Sequence, residues 1–336
     1  MWKTRFCELF GVELPIMLAG MGTIALADLA AAVSEAGGMG TVGLVMFTPE
    51  GIHNEIAAAR RLTKKPLACN LLIPFLQPGI AEAAAASPVD AVTLFWGAPA
   101  EYVGRFKDAG KKVIWQCGSA EEAAQAKRAG ADMIIAQGVE SGGHVRGLTA
   151  TMVLVPQVRD AIGDLPMLAA GGIADGRGLA AALALGADGA VLGTRFLASR
   201  ESAAHPSYKD RIVNARAEDT VHTKLHDMGW PDAAHRVLRT AVYEEWERAG
   251  RPESGKRPGE GKVVGTLKHA GMEMPPLVKY TVMPAAEYVE GELDEFVFYA
   301  GMSCALINDI VPAGEIVRRI AAEAREIITK RLAPLA

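Results

Sequence analysis

Between residue 15 and about residue 197 a short apolar run recurs eight times, each time followed by an alanine-rich stretch of helical character. The runs are PIMLAG (15–20), MGTVGL (39–44), PLACNLLI (66–73), AVTLFWG (91–97), KKVIWQC (111–117), ADMIIAQG (131–138), PMLAAGG (166–172) and GAVLGTRF (189–196). They are nearly continuous in apolar residues instead of alternating, the pattern of parallel strands covered on both faces. Segments such as ADLAAAVSEAGG and SAEEAAQAKRAGA supply the intervening helices, with Ser119 placed as a cap and Gly37, Gly110, Gly130 and Gly186 as stops. Eight such units predict an α/β chain closed into a (β/α)8 barrel. A doubly wound open sheet is the competing arrangement. GMGTIA (20–25) and GMGTVG (38–43) match dinucleotide-binding glycine patterns, but the second runs through an expected strand and the first lacks a well-placed acid about 20 residues on.

Beyond residue 200 the texture changes to longer, charge-rich patterns. We expect residues 1–212 and 297–336 to form the barrel, with 213–296 inserted as a smaller helical domain. RPESGKRPGEGK (251–262) has the composition of a mobile loop. The stretch 312–332 is an amphipathic helix, apolar at Ile316, Ile320, Ala324 and Ile327, suited to packing back onto the barrel.

The charge balance excludes some functions. Thirty-five Lys and Arg against 39 Asp and Glu, with no basic block, leave no footprint for nucleic acid and favour a small-molecule partner. The four cysteines, Cys7, Cys69, Cys117 and Cys304, are scattered without a C-x-x-C pair, which suggests neither disulfides nor a zinc site and fits the cytoplasm. There is neither a leader-like amino terminus nor an apolar run of the ~20 residues that a membrane helix needs. A homodimer is left open.

In such a barrel the reacting groups sit where strands end at their carboxyl side. Gly171 and Gly172 close the seventh run and Gly193 and Thr194 the eighth, a set able to bring main-chain N–H groups and a hydroxyl against a phosphate. The competing reading is that these glycines only allow tight strand–helix packing. Met21, Asn70, Gln116 and Gln137 lie at other strand ends, and the amides offer donors and acceptors to a planar ring such as a flavin. A buried amide can also satisfy loop backbone; the two readings are even for Gln116, and cofactor contact is the favoured one for Asn70 and Gln137. Gly20 and Gly143 border these positions and join the expected cofactor site. His144, behind Gly142 and Gly143 in AQGVESGGHVRG, is the candidate base. His222 and His226, four apart, lack a third ligand, so no metal is expected. Cys69 and Cys117 read as inert core thiols, and Trp96 as either pocket wall or core.

PIMLAGMG, CNLLIP, FWGAP, AQGVESGGHVRG and LAAGGIADGRGLAAALALGADGAVLGTRFLASRES together resemble the nitronate monooxygenase family, formerly called 2-nitropropane dioxygenases. The resemblance covers the whole barrel and implies FMN on a TIM barrel. It implies that Asn70, Gln137, Gly142, Gly172 and Val191, Leu192, Gly193 and Thr194 contact FMN, and that His144 is the catalytic base. The implied reaction is oxidation of an alkyl nitronate by O2 to a carbonyl compound and nitrite. Close relatives with these motifs include NAD(P)H:quinone reductases and flavin-dependent enoyl-acyl carrier protein reductases, which RESAAHPSYKDRIVNAR resembles, so NAD(P)H-dependent reduction of a quinone or enoyl thioester is the alternative. The chain departs from the family pattern at Ser141, commonly alanine, at Val145 and Arg146 before Gly147, and at Met302, often glutamine.

Overall fold

The computed structural model describes residues 2–272 and 274–335. Each apolar run contains a strand: β1 Ile16–Leu18, β2 Gly40–Gly43, β3 Leu67–Leu72, β4 Ala91–Phe95, β5 Lys112–Cys117, β6 Met133–Gln137, then, past the two-residue β7 at Gly143–His144, β8 Met167–Ala170 and β9 Ala190–Leu192. Apart from β7 they form one parallel sheet in which β9 pairs with β1. Leu18 N–H donates to Met39 O at 2.9 Å and Met39 N–H to Ile16 O at 2.9 Å, which ties β1 to the start of β2. The ring is thereby closed into a (β/α)8 barrel. GMGTVG lies in β2, as the open-sheet argument required it not to.

Alternation along each strand divides the side chains into two layers. Met17, Met39, Ala68, Ala91, Ile114, Met133, Ile135, Leu168, Ala170 and Val191 point inward and form one cluster with Phe6, Cys7 and Phe10 of the helix Arg5–Phe10, which plugs the floor. Their strand neighbours Cys69, Val92, Val113, Trp115, Ile134, Ala169 and Leu192 pack outward against the helices. A fully buried side chain of this size contributes about 1.5–3 kcal/mol. Ser119 caps its helix by accepting from Glu122 N–H, and Gly37, Gly110, Gly130 and Gly186 all take positive φ at helix ends. The amphipathic carboxyl-terminal helix Ala313–Glu326 packs on the helices Gly176–Ala184 and Ala27–Glu35, completing the outer ring. Gly176 permits that contact, since a Cβ there would lie 2.4 Å from Ala324 N.

The expectation of a helical segment at 213–296 is not met. Its described residues hold the last residues of the helix Pro206–Asn214, one further α-helix, Ala241–Arg248, two single 3-10 turns, Ala217–Asp219 and Leu293–Glu295, and five short strands: β10 Thr220–Thr223, β11 His235–Leu238, β12 Val263–Leu267, β13 Leu277–Val278 and β14 Val289–Gly291. Gly229 and Pro231 interrupt the helical pattern, and the β-branched residues on either side pair as antiparallel strands instead. These form the sheets β10-β11-β7 and β13-β12-β14. The stretch 251–262 has no helix or strand but is anchored: Arg257 is buried, pairs with Asp227 at 2.6 Å and with Glu260, and lies 4.4 Å from the centre of the Tyr280 ring.

Candidate active site

The inward side chains change character toward the carboxyl ends of the strands. The floor is apolar, but the next inward positions are Asn70 on β3, Gln116 on β5 and Gln137 on β6. Above them lies a cavity of about 190 Å³. Its lining brings together Gly20, Met21, Asn70, Gln116, Gln137, Gly142, Gly143, His144, Gly171, Gly172, Val191, Gly193 and Thr194. Leu192 is the exception, because its place between Val191 and Gly193 turns its side chain into the helical layer. Leu192 O already accepts from Ala19 N–H at 3.0 Å.

Ala170 pairs with Val191 across β8 and β9, so the glycines that follow them are neighbours in space. Gly171 and Gly172 have φ of 102° and 74°, conformations that suit glycine. Among the described residues, no protein acceptor takes a hydrogen bond from the backbone N–H of Gly172, Gly193 or Thr194. Beside them the Ser141 hydroxyl is buried without a partner among the described residues. The departure from the family pattern at Ser141 therefore puts one more donor on the cavity wall.

The amides differ in how far they are already committed. Gln137 donates from Nε2 to His144 O at 3.0 Å, so it holds the loop that carries His144 as well as lining the cavity. Asn70 makes one long contact, Nδ2 to Thr93 O at 3.4 Å. It also stands so close to Gly20 that a Cβ there would lie 2.2 Å from Asn70 Cβ. Gln116 forms no side-chain hydrogen bond among the described residues, which leaves both ends of its amide for a ligand.

His144 reaches the cavity through β7, which pairs with β11 in the register His144 to His235. The departure at Val145 continues this pairing, Val145 N–H donating to Ala234 O at 2.9 Å. The imidazole stacks on Trp230, ring centres 4.0 Å apart and planes at 29°, with Tyr299 at 5.5 Å and Trp96 at 6.1 Å. Trp96 itself lies against Trp230 at 4.9 Å and backs His144 without lining the cavity. Among the described residues, Nε2 of His144 is buried with no hydrogen-bond partner. Burial, followed by the proximity of His235 and His226, holds its pKa well below the usual histidine range, so the ring is neutral at pH 7.

Trp230, Tyr299, Tyr208, Phe75 and Met283 also line the cavity and were not singled out from the sequence. Trp230 follows a Gly in DMGWPD, an aromatic beside turn residues, the one local hint of a ring held at a loop tip. His222 lies on β10 and His226 in the loop after it, not on one helix face. Cys69 and Cys117 are fully buried, and burial pushes the Cys69 thiol up to about 12. Met302 is exposed and outside the cavity, while its neighbour Ser303 lines it.

Residues 3–86 and 78–323 match the family model described as nitronate monooxygenase. The chain belongs to the nitronate monooxygenase family. Family membership makes it an oxidoreductase. Over 96% of its length it is 33% identical to a (3aS,4S,5R,7aS)-5-hydroxy-7a-methyl-1-oxo-octahydro-1H-indene-4-carboxyl-CoA dehydrogenase of Rhodococcus jostii, covering 96% of that protein. It is 34% identical to a probable nitronate monooxygenase of Staphylococcus aureus, covering 67% of this chain and 76% of the relative. The solved structure of FabK from Thermotoga maritima superposes over 100% of both chains with a TM-score of 0.81 at 34% identity. Among the described residues no helix is long and apolar enough to cross a membrane.

Proposed function

We propose that this chain is an FMN-dependent enzyme that oxidises alkyl nitronates with O2, giving a carbonyl compound and nitrite. One observation carries the cofactor: unpaired main-chain N–H groups at Gly172, Gly193 and Thr194 meet the partnerless Ser141 hydroxyl at the ends of two adjacent barrel strands. A Cβ on Gly172 would meet only Glu140 carbons at 3.6 and 3.9 Å, and one on Gly193 only Ala19 and Met21 at 3.5 and 3.7 Å, so the cradle has room for a phosphate. Gly20, Met21, Asn70, Gln116 and Gln137 would hold the ring, with Gly142, Gly143 and Val191 allowing close approach. The Leu192 side chain faces the helical layer, so Leu192 would contribute through its backbone alone. The bound flavin supplies an electron sink for the nitronate and the route for electrons to O2.

The chain's own residues do the proton work. Neutral His144 takes the proton from the carbon that bears a nitro group, or hydrogen-bonds a nitronate that arrives already formed. Its low basicity in the resting cavity is offset as the reaction proceeds, because the developing nitronate charge beside it favours the imidazolium. Trp230 and Tyr299 keep water from the imidazole and fix its plane.

A second reading, NAD(P)H-dependent reduction of a quinone or an enoyl thioester, is favoured by the full-length likeness to FabK and to a CoA-thioester dehydrogenase. Anaerobic stopped-flow mixing separates the two. Nitronate bleaches the flavin rapidly and NADH or NADPH does not if the first reading holds; the reverse result establishes the second.

A further inference from the structure

The charged stretch 251–262 buries one residue, Arg257, which lies outside the cavity lining. A buried guanidinium needs its N–H donors satisfied and its charge balanced. Nη1 donates to Leu225 O at 2.7 Å and to Asp227 Oδ1 at 2.6 Å, and Nη2 to Ser254 Oγ at 3.0 Å and to Glu260. Leu225 and Asp227 flank His226, so the fork grips the turn after β10 on both sides of that residue. Held there, His226 N–H donates to His235 Nε2 at 3.3 Å. Asp227 O accepts from the backbone N–H of Trp230 at 2.9 Å, and Met228 N–H donates to Tyr280 O at 3.1 Å. Gly229, at φ of 101°, lets the chain bend between them.

This turn ends on the indole that stacks on His144. Nε2 of the imidazole has no partner among the described residues, so neighbouring rings set its plane. Trp230 is nearest at 4.0 Å, against 5.3 Å for His235, 5.5 Å for Tyr299 and 6.1 Å for Trp96. We infer that Arg257 is a positioning residue for His144, acting through the turn 225–230 that lays Trp230 on the imidazole. The inference rests on the proposed function for the role of His144 alone. Arginine suits the task because one planar fork meets acceptors on both chain segments at once, which an ammonium does not. Without the fork Asp227 and Glu260 draw water, the turn loosens, and Trp230 leaves His144. The titratable groups facing the imidazole are His235 on β11, His226 after β10 and Tyr299, and burial holds all three uncharged at pH 7. Burial is also the main cause that keeps His144 neutral, so water admitted where Trp230 stood returns it toward the ordinary histidine range.

The test follows kcat/KM for nitroethane between about pH 7.5 and about pH 5.5 on the flavin-loaded parent and on Arg257→Met. The parent is expected to change less than twofold and the variant to fall about tenfold, as a base with the ordinary histidine pKa of about 6.5 does. Flavin affinity is expected to stay within threefold of the parent's. Trp230→Leu should show the same fall, and adding Arg257→Met to it should change kcat/KM less than twofold, because the two act in series. Arg257→Lys serves should Arg257→Met fail to fold: it keeps a cation beside Asp227 and Glu260, loses the fork, and is expected to show the same fall. A folded Arg257 variant with the parent's level profile would overturn the inference. So would a flavin affinity that falls as far as kcat/KM, or effects of the two substitutions that multiply. Should no nitroalkane be turned over, the nitronate reading fails by itself, and NMR titration of the isotope-labelled His144 ring decides the positioning. A ring that titrates nearer the ordinary range in the variant than in the parent upholds it, and the same titration in both removes it.

Discussion

Gly193→Ala separates folding from cofactor binding. Gly193 has φ of −105°, open to any L residue, and an added Cβ meets only Ala19 Cβ at 3.5 Å and Met21 Sδ at 3.7 Å, ordinary contact distances. The apoprotein is therefore expected to keep its stability or gain about 0.4–1 kcal/mol from the stiffer unfolded chain. Ala19, Met21 and Gly193 all line the cavity, so the methyl enters the space assigned to the phosphate. Losing one hydrogen bond to a charged group costs about 1.5–3 kcal/mol. At about 1.4 kcal/mol per decade this weakens flavin binding by about 10- to 150-fold. Gly142→Ala is the contrast: its Cβ would lie 2.3 Å from Gly301 N and 2.5 Å from Ala300 C, backbone that cannot step aside, and overpacking costs about 1–3 kcal/mol of stability. The assays are thermal unfolding of the apoproteins and quenching of flavin fluorescence on titration. Gly193→Ala binding flavin as tightly as the parent would refute the phosphate assignment, whatever its melting temperature.

His144→Ala should retain bound flavin yet lose about 100- to 10,000-fold in kcat/KM for neutral nitroalkanes, the range for one general base; undiminished turnover would take His144 out of the mechanism. In the parent, burial keeps His144 neutral through the ordinary histidine range, so kcat/KM for neutral nitroalkanes stays level as pH falls through 6.5 and declines only below it. Burial also lowers His235 to about 4. Below pH 6.5 the unfolded chain takes up that proton and the native protein does not, so stability is complete above pH 6.5 and falls by roughly 3 kcal/mol as pH drops to about 4. Denaturant midpoints for His235→Asn should show a correspondingly shallower acid loss, and a slope equal to the parent's would count against this assignment. Arg257→Met leaves Asp227 and Glu260 without their cation and should cost about 3–5 kcal/mol. Because the backbone N–H of Trp230 donates to the backbone O of Asp227 at 2.9 Å, a shift of Asp227 moves the Trp230 ring and its emission should change as well, and an unchanged spectrum would separate the clamp from the active site.

The barrel was legible because parallel strands covered on both faces leave continuous apolar runs, and the glycines at 171, 172 and 193 stand where those runs stop. Leu192 shows what a stricter period-two reading would have caught: with Val191 and Gly193 facing inward, the residue between them must face the helices. The segment 213–296 was misread because its strands are two to five residues long, too short for alternation to register, and because its charged residues imitate a solvated helix face. Arg257 was hidden for a related reason, since a Pro- and Gly-rich stretch looks mobile until the pairing of its one buried cation is known. Trp230 and Tyr299 come to His144 through β11 and its neighbours, contacts made by tertiary pairing that no local pattern around residue 144 announces.

The most direct measurement is an electron-density map of the protein crystallised with FMN. The account predicts a phosphate within hydrogen-bonding distance of the N–H groups of Gly172, Gly193 and Thr194, with the flavin ring lying beneath His144. A flavin whose phosphate lies elsewhere, or whose ring is out of reach of that imidazole, would contradict it.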